Sequence, residues 1–206
     1  EMPKLLQKKT LNIESNLFFF KHSMQDILNI IQRANDVKEF SFRVSSKNSL
    51  TIEIIRKIPL NLGFLLASLA HHNVANMEIF TLFDDIKYFR IDFIESVSED
   101  EIFHIQNVIN NAFDMERMVK LKEIHIKREE ITLDCEHSLT HAELTIQTAN
   151  QIGLLAYMMD AFEKLKINIV TAKIHSTKYK ARDSFLIDKN SDICNNVEEI
   201  YKLLSR

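Results

Sequence analysis

Asn150-Gln151-Ile152-Gly153-Leu154 contains one of only two glycines in the chain, placed where an alternating apolar run gives way to a helical stripe. Backbone N–H groups at a strand-to-helix turn point outward, and a helix N-terminus carries positive partial charge, so a carboxylate can bind there. The competing reading is that Gly153 only permits a tight turn. Asn168, at the start of the next expected strand, either reaches the same ligand or satisfies local backbone as a turn residue.

Other chemistry-bearing groups read less sharply. Cys135-Glu136-His137 and His141 form C-x-H-x3-H, which could ligate zinc. Only three soft ligands lie near, in an expected hairpin loop, and a solvated loop is the better reading. His71-His72 lacks the H-E-x-x-H spacing and suits a helix C-terminus, where positive charge complements the dipole. Lys173, Lys178, Tyr179, Lys180 and Arg182 make a basic hairpin tip that could meet an acidic partner or a phosphate, though solvated hairpins are commoner. Met158-Met159 reads as core. No Ser-His-Asp or Cys-His spacing supports a nucleophile, so the chain is not assigned a reaction.

Composition excludes whole classes. Lys plus Arg is 26 and Asp plus Glu is 29, a net charge of -3, which argues against a nucleic-acid binder with its basic footprint. Two glycines cannot build a G-x-G-x-x-G or Walker loop. Cys135 and Cys194 do not make a disulfide framework, and a reducing cytoplasm fits. No apolar run reaches about 18 residues, so no membrane span is expected. The first residues lack the pattern of a signal peptide.

The elements that must position these residues follow from periodicity. Residues 4–16 are polar and mixed. Ser23 followed by Asp26 resembles a capping box, and Ile27, Ile30 and Ile31 share one face of a helix over 24–34, with Phe18 to Phe20 packed beneath it. Phe40, Phe42 and Val44, then Leu50, Ile52 and Ile54, alternate about a polar turn and predict a hairpin. Pro59 can open a helix that buries Leu62, Leu65, Leu66 and Leu69, and Asn73 closes it. Strands over 74–83 and 87–94 flank an Asp84-Asp85 turn. Ser98 caps a helix over 99–113 with Ile102, Ile105 and Ile109 inward.

The second half repeats this order. Strands carry Ile131 and Leu133, then Leu144 and Ile146, about a loop over 136–140. A helix after Gly153 buries Leu155, Met159, Phe162 and Leu165. Strands over 167–176 and 184–188 precede a helix over 193–204. Two β-α-β-β-α-β-like units result. Each ends on a helix, so the strand ahead of each (39–44 and 128–134) takes the vacant sheet edge. The expectation is α+β: two ferredoxin-like units, each a four-stranded antiparallel sheet with two helices on one face.

Asn150-Gln151-Ile152-Gly153-Leu154-Leu155, Asn168-Ile169 and Asp183-Ser184-Phe185-Leu186-Ile187-Asp188 resemble the D-R-P-G-L-L turn, N-I and D-x-F-x-V-x-D of an ACT domain, a small-molecule-sensing module. The first unit is more degenerate, with Lys57-Ile58-Pro59-Leu60 at the turn, Asn73-Val74 for N-I, Phe93 on the last strand, and Gly63 as a competing turn glycine. The pair resembles the C-terminal tandem ACT region of the bifunctional PII uridylyltransferase/uridylyl-removing enzyme family, over roughly residues 17–206. Ile131-Thr132-Leu133-Asp134-Cys135-Glu136 is similar to that family's V-x-I-D-N-E stretch, and Phe20-Lys21-His22-Ser23-Met24-Gln25-Asp26-Ile27 to its L-x-H-S-P-E-E-I segment.

The resemblance implies a linker and short helix over 1–36, a degenerate first ACT domain over 37–122 and a second over 123–206. It implies an amino-acid effector, glutamine, held by Asn150, Gln151, Ile152, Gly153, Leu154 and Asn168 in one unit, and by Pro59, Leu60, Asn61 and Asn73 in the other. No other cofactor or metal is implied. It also implies a nitrogen-regulating role with upstream catalytic domains and the PII protein as partners, with a homodimer as a further expectation. The G-S-x-x-x-D-x-D motif and the His-Asp metal tetrad of the family's catalytic domains do not occur, so the resemblance implies a regulatory fragment rather than the complete enzyme. Both turns are eroded relative to D-R-P-G, which favours an alternative: an interaction module without ligand. A free-standing tandem-ACT regulator resembling the glycine-cleavage repressor is a third reading, against which the segment before the first unit argues.

Overall fold

The alternating apolar residues of the first half form the hairpin of β1 (Phe40–Ser46) and β2 (Leu50–Arg56), paired from Phe40↔Arg56 to Ser46↔Leu50. The computed structural model describes residue 13 and residues 16–118, 120–177, 179–189 and 193–205, the side chains of 16 and 17 excepted. Most of the expected leading linker, and Lys178 of the basic tip, lie outside these. Before the hairpin come α1 (Asn16–Lys21) and α2 (Met24–Asp36). Ser23 caps α2: its Oγ accepts the Asp26 N–H at 3.2 Å and donates to the Asp26 carboxylate at 2.6 Å. The first unit continues with α3 (Leu62–Ser68), β3 (Val74–Thr81), β4 (Lys87–Phe93) and α4 (Glu99–Asn111). The second comprises β5 (Ile131–Asp134), β6 (His141–Ala149), α5 (Leu154–Lys164), β7 (Ile169–Lys173), β8 (Lys180–Asp188) and α6 (Val197–Leu204).

The fold is α+β and doubled, with one correction. The two four-stranded sheets are not separate: β3 and β7 pair antiparallel at Met77↔Ala172, giving one eight-stranded sheet of order β1-β2-β4-β3-β7-β8-β6-β5. Each half has the ferredoxin-like order, with the leading strand in the vacant place. β5 pairs with β6 from Ile131↔Ile146 to Asp134↔Glu143. Residues 128–130, expected as strand, form a short 3-10 turn. Among the described residues, joining through β3 and β7 leaves β1 and β5 at the edges of the sheet. The registers also equate positions in the two halves: Met77 with Ala172, Ile91 with Phe185, and Ile52 with Leu144.

Helices α3 to α6 cover one face. Their core takes alternate strand residues, Ile52 and Ile54 of β2, Phe89, Ile91 and Phe93 of β4, and Phe185 and Ile187 of β8. Phe162 of α5 meets Phe185 edge-on at 5.1 Å. Burying such an aromatic side chain is worth about 1.5–3 kcal/mol, which is why α5 must lie here. Met158 and Met159 are core, as expected. α5 is buried nearly all round, because α3 packs against it across the seam. Gly63 belongs to this contact rather than to a turn: a methyl there would touch Asp160 Cβ at 3.5 Å.

α1 and α2 lie on the opposite face of the first half, an arrangement the sequence reading did not assign. Ile27, Ile30, Ile31 and Ala34 pack with Phe18 on Ile55, Phe80 and Tyr88. Phe18 is buried but Phe20 is 87% exposed, so the phenylalanine run is split between core and solvent. Arg33 pairs with Glu53 at 2.7 Å, and Tyr88 Oη donates to Glu53 at 3.0 Å, tying α2 to the sheet.

Three further expectations are corrected. Pro59 does not open α3; Asn61 does, its Oδ1 accepting the Phe64 N–H at 2.8 Å, the more favourable N-cap chemistry. Ile102 is only half-buried, and Val108 takes the third inward place on α4. Cys135 and Cys194 are bonded to each other, Cα–Cα 5.9 Å, across 59 residues of sequence. The bridge also removes Cys135 as a metal ligand, and residues 135–140 form a loop ahead of β6.

Candidate functional site

The turn at Gly153 forms because β6 ends at Ala149 and α5 starts at Leu154, and the reversal between them needs φ +93° at Gly153. Glycine adopts this without steric cost. No side chain caps α5. The Leu154 N–H bonds to the Gln151 carbonyl at 3.0 Å, and the N–H groups of Leu155 and Ala156 belong to the first helical turn, which has no intrahelical acceptor.

This turn opens onto a cavity of about 90 Å³ at one end of the seam. At roughly 10–15 Å³ for each water-sized position, that is the scale of a small polar molecule. From the second unit the walls are the Asn150–Ala156 segment, Ile174, Ser176 and Asp183; from the first unit they are the end of α3, His72, Asn73, Val74 and Phe93. The cavity is thus composite. Asn150, Gln151, Ile152, Gly153 and Leu154 are brought together with Asn73, not with Asn168. Asn168 lies beyond the far end of α5, a helix about 16 Å long, where its carbonyl accepts the Asp188 N–H at 3.0 Å. Pro59 and Leu60 line a different cavity at the other end of the seam, and Asn61 is occupied as the α3 cap.

Asp183 is the residue the sequence reading missed. It is 2% exposed and projects from β8 onto the helix-covered face, in line with Ala181 and Phe185. Burial pushes its carboxyl up to about 6, against the opposing effect of the His175 N–H that it accepts at 3.3 Å. A buried carboxylate with one backbone donor suits a cation. The alternation Ala181, Asp183, Phe185, Ile187 was the available signal, since it sets an acid on a buried face. His72 also lines the cavity. Burial holds its imidazole below the ordinary range, reinforced by His71, while Glu101 and Glu95 oppose the effect.

Several polar side chains around the turn already have partners. Gln151 brackets His125, accepting its N–H at 3.1 Å and donating to its carbonyl at 2.8 Å. Asn150 Nδ2 donates to the Thr177 carbonyl at 2.9 Å, and Asn73 donates through both its backbone and its amide to Glu95. The basic tip is exposed at Tyr179, which is 72% accessible. His71 and His72 both approach Glu101, at 3.5 and 3.2 Å.

No protein-family model matches the chain. Over 87 residues, 42% of its length, it is 32% identical to a bifunctional uridylyltransferase/uridylyl-removing enzyme from Pasteurella multocida (strain Pm70), and the match spans 10% of that protein. Among solved structures, aspartate kinase from Synechocystis superposes on 75% of the chain with a TM-score of 0.37 and 13% identity, covering 26% of the kinase. Among the described residues no helix is long and apolar enough to cross a membrane. Its strand order makes the chain an α+β protein of two fused ferredoxin-like units, and part of it is similar in sequence to a uridylyltransferase/uridylyl-removing enzyme.

Proposed function

We propose that this chain is an amino-acid-sensing ACT region of a protein related to PII uridylyltransferase, with the composite cavity at Gly153 as its effector site. The observation that carries the reading is the pairing of opposite requirements around one cavity. The uncapped start of α5 suits a carboxylate, and the buried Asp183 suits an ammonium group. A free amino acid supplies both at once. The 87-residue similarity to a uridylyltransferase/uridylyl-removing enzyme supports the regulatory context, and the resemblance names glutamine as effector, with upstream catalytic domains and the PII protein as partners. The effector touches both units, so it acts by linkage: it favours the seam geometry that closes the cavity, and coupling of this kind is worth about 1–3 kcal/mol.

A second reading, an interaction module without ligand, is favoured by the internal bonds of Asn73, Asn150 and Gln151. Thermal unfolding against a panel of amino acids at millimolar concentration separates the two. An effector at about 100 times its dissociation constant adds roughly 2.7 kcal/mol. Absence of any shift across the panel leaves the interaction reading standing.

A further inference from the structure

The cavity at the other end of the seam has a different character from the one at Gly153. We infer that it binds an oxyanion, a carboxylate or phosphate group carried on an apolar stem, between Arg56 and Lys87. The cavity measures about 350 Å³; Leu60, Met159, Phe162 and Ile167 are among its apolar walls, and the two cations line it together with Asp85 and Glu163. Arg56 at the end of β2 and Lys87 at the start of β4 are direct cross-strand partners. Both follow the parity of Ile54 and Phe89 and so face the helix-covered side. Like charges directly opposite on a sheet repel.

Neither cation is neutralised. Among the described residues no carboxylate comes within ion-pair distance of either; Glu163 acts on Arg56, and Asp85 and Asp188 act on Lys87, only at longer range. Arg56 Nη1 donates to the Ile58 carbonyl at 2.8 Å, but its Nε is buried with no acceptor. Lys87 Nζ is held by Thr81 Oγ1 at 2.5 Å. Burial lowers the proton affinity of both groups, and Arg56 lowers that of Lys87 further. An unused buried donor beside a repelling cation is what an anion repairs.

The fold does not demand this pair. The register that equates the halves sets Thr148 opposite Arg56 in the comparison, Ala181 opposite Lys87, and Phe89 opposite Asp183. One end of the seam is acidic and the other basic, on the same scaffold. An amino acid at Gly153 would bring its ammonium group to Asp183, whereas the pair of Arg56 and Lys87 calls for an anion, which goes beyond the amino-acid reading of the other cavity.

The test is calorimetry and thermal unfolding of the full chain with inorganic phosphate, acetate and hexanoate, in chloride at matched ionic strength. Phosphate or hexanoate should give a saturable response. R56Q and K87Q should each weaken it at least about ten-fold, the loss expected for one charge-assisted hydrogen bond. Without anion, R56Q should unfold no earlier than the parent, because a repulsion is relieved. A second readout does not depend on variants folding: acylation of Lys87 by acetic anhydride, followed by peptide mass spectrometry, should slow when the anion is added. D183N should retain the anion response, and R56Q should retain any amino-acid response, so the two sites are scored separately. No saturable response to phosphate or hexanoate, unchanged affinity in both cation variants, or unprotected Lys87 overturns the inference.

Discussion

Asp183→Asn tests the acidic cavity through stability alone. The carboxyl rises from its ordinary 3.8 to about 6 on folding. At about 1.36 kcal/mol for each power of ten in proton affinity, the folded chain carries a penalty of about 3 kcal/mol when the group is ionised. Above pH 6 both folded and unfolded chains are ionised, so the penalty is complete. Between pH 6 and 4 the folded chain takes up the proton first, and the penalty shrinks. Below the unfolded value it is gone. Asparagine keeps the Oδ1 that accepts the His175 N–H but never ionises. D183N should therefore be more stable than the parent at pH 7.5 by about 2–3 kcal/mol, a melting increase of roughly 5–10 °C for a chain of this size. The advantage should fade towards zero by pH 4. Under the proposed function the same variant loses its response to an amino acid, since the ammonium partner is removed. Urea unfolding of both proteins at pH 7.5, 5.5 and 4.0 reads the first effect. A variant that is less stable at pH 7.5, or whose advantage does not change with pH, would refute the reasoning.

Two further outcomes are expected. Gly153→Ala must place a side chain at φ +93°, while its methyl meets nothing closer than Lys122 Cβ at 3.8 Å; the cost is backbone strain of about 1–2 kcal/mol, seen as a lower urea midpoint with unchanged slope. Reducing the Cys135–Cys194 bridge frees a 59-residue separation and should destabilise by up to about 4 kcal/mol on chain-entropy grounds. Melting with and without dithiothreitol, matched by a C135S/C194S double variant, measures it, and equal melting temperatures would contradict the structural role of the bridge.

The local elements were largely legible in the sequence because their signals are local. The alternation at Phe40–Val44, the Ser23 and Ser98 caps and the repeated order of elements each need only a short window. The seam is not legible, because Met77 and Ala172 lie far apart in the chain, with β4, α4, β5, β6 and α5 between them, and neither strand announces its neighbour. The placement of α2 had a signal that went unused. Ile54 and Ile55 are consecutive and both fully buried, so β2 must be covered on two faces. Asn61 and Pro59 competed for the start of α3, and hydrogen-bond capping prevailed over ring geometry. The turn residues Asn150 to Leu154 are legible as a group, but their neighbour across the seam is not. Asn168 follows the far end of α5 within its own unit, and the edge-to-edge join is what brings Asn73 to Gly153.

Glu78 on β3 is 7% exposed and is gripped by Lys21 at 3.1 Å and approached by His22 at 3.5 Å, both at the close of α1. Its neighbour Met77 is the residue that bonds the two halves at Ala172. The leading segment is thus anchored one peptide away from the joint between the two halves. A pull on that segment would therefore load β3, a central strand beside the seam, before it reached the edge strand β1.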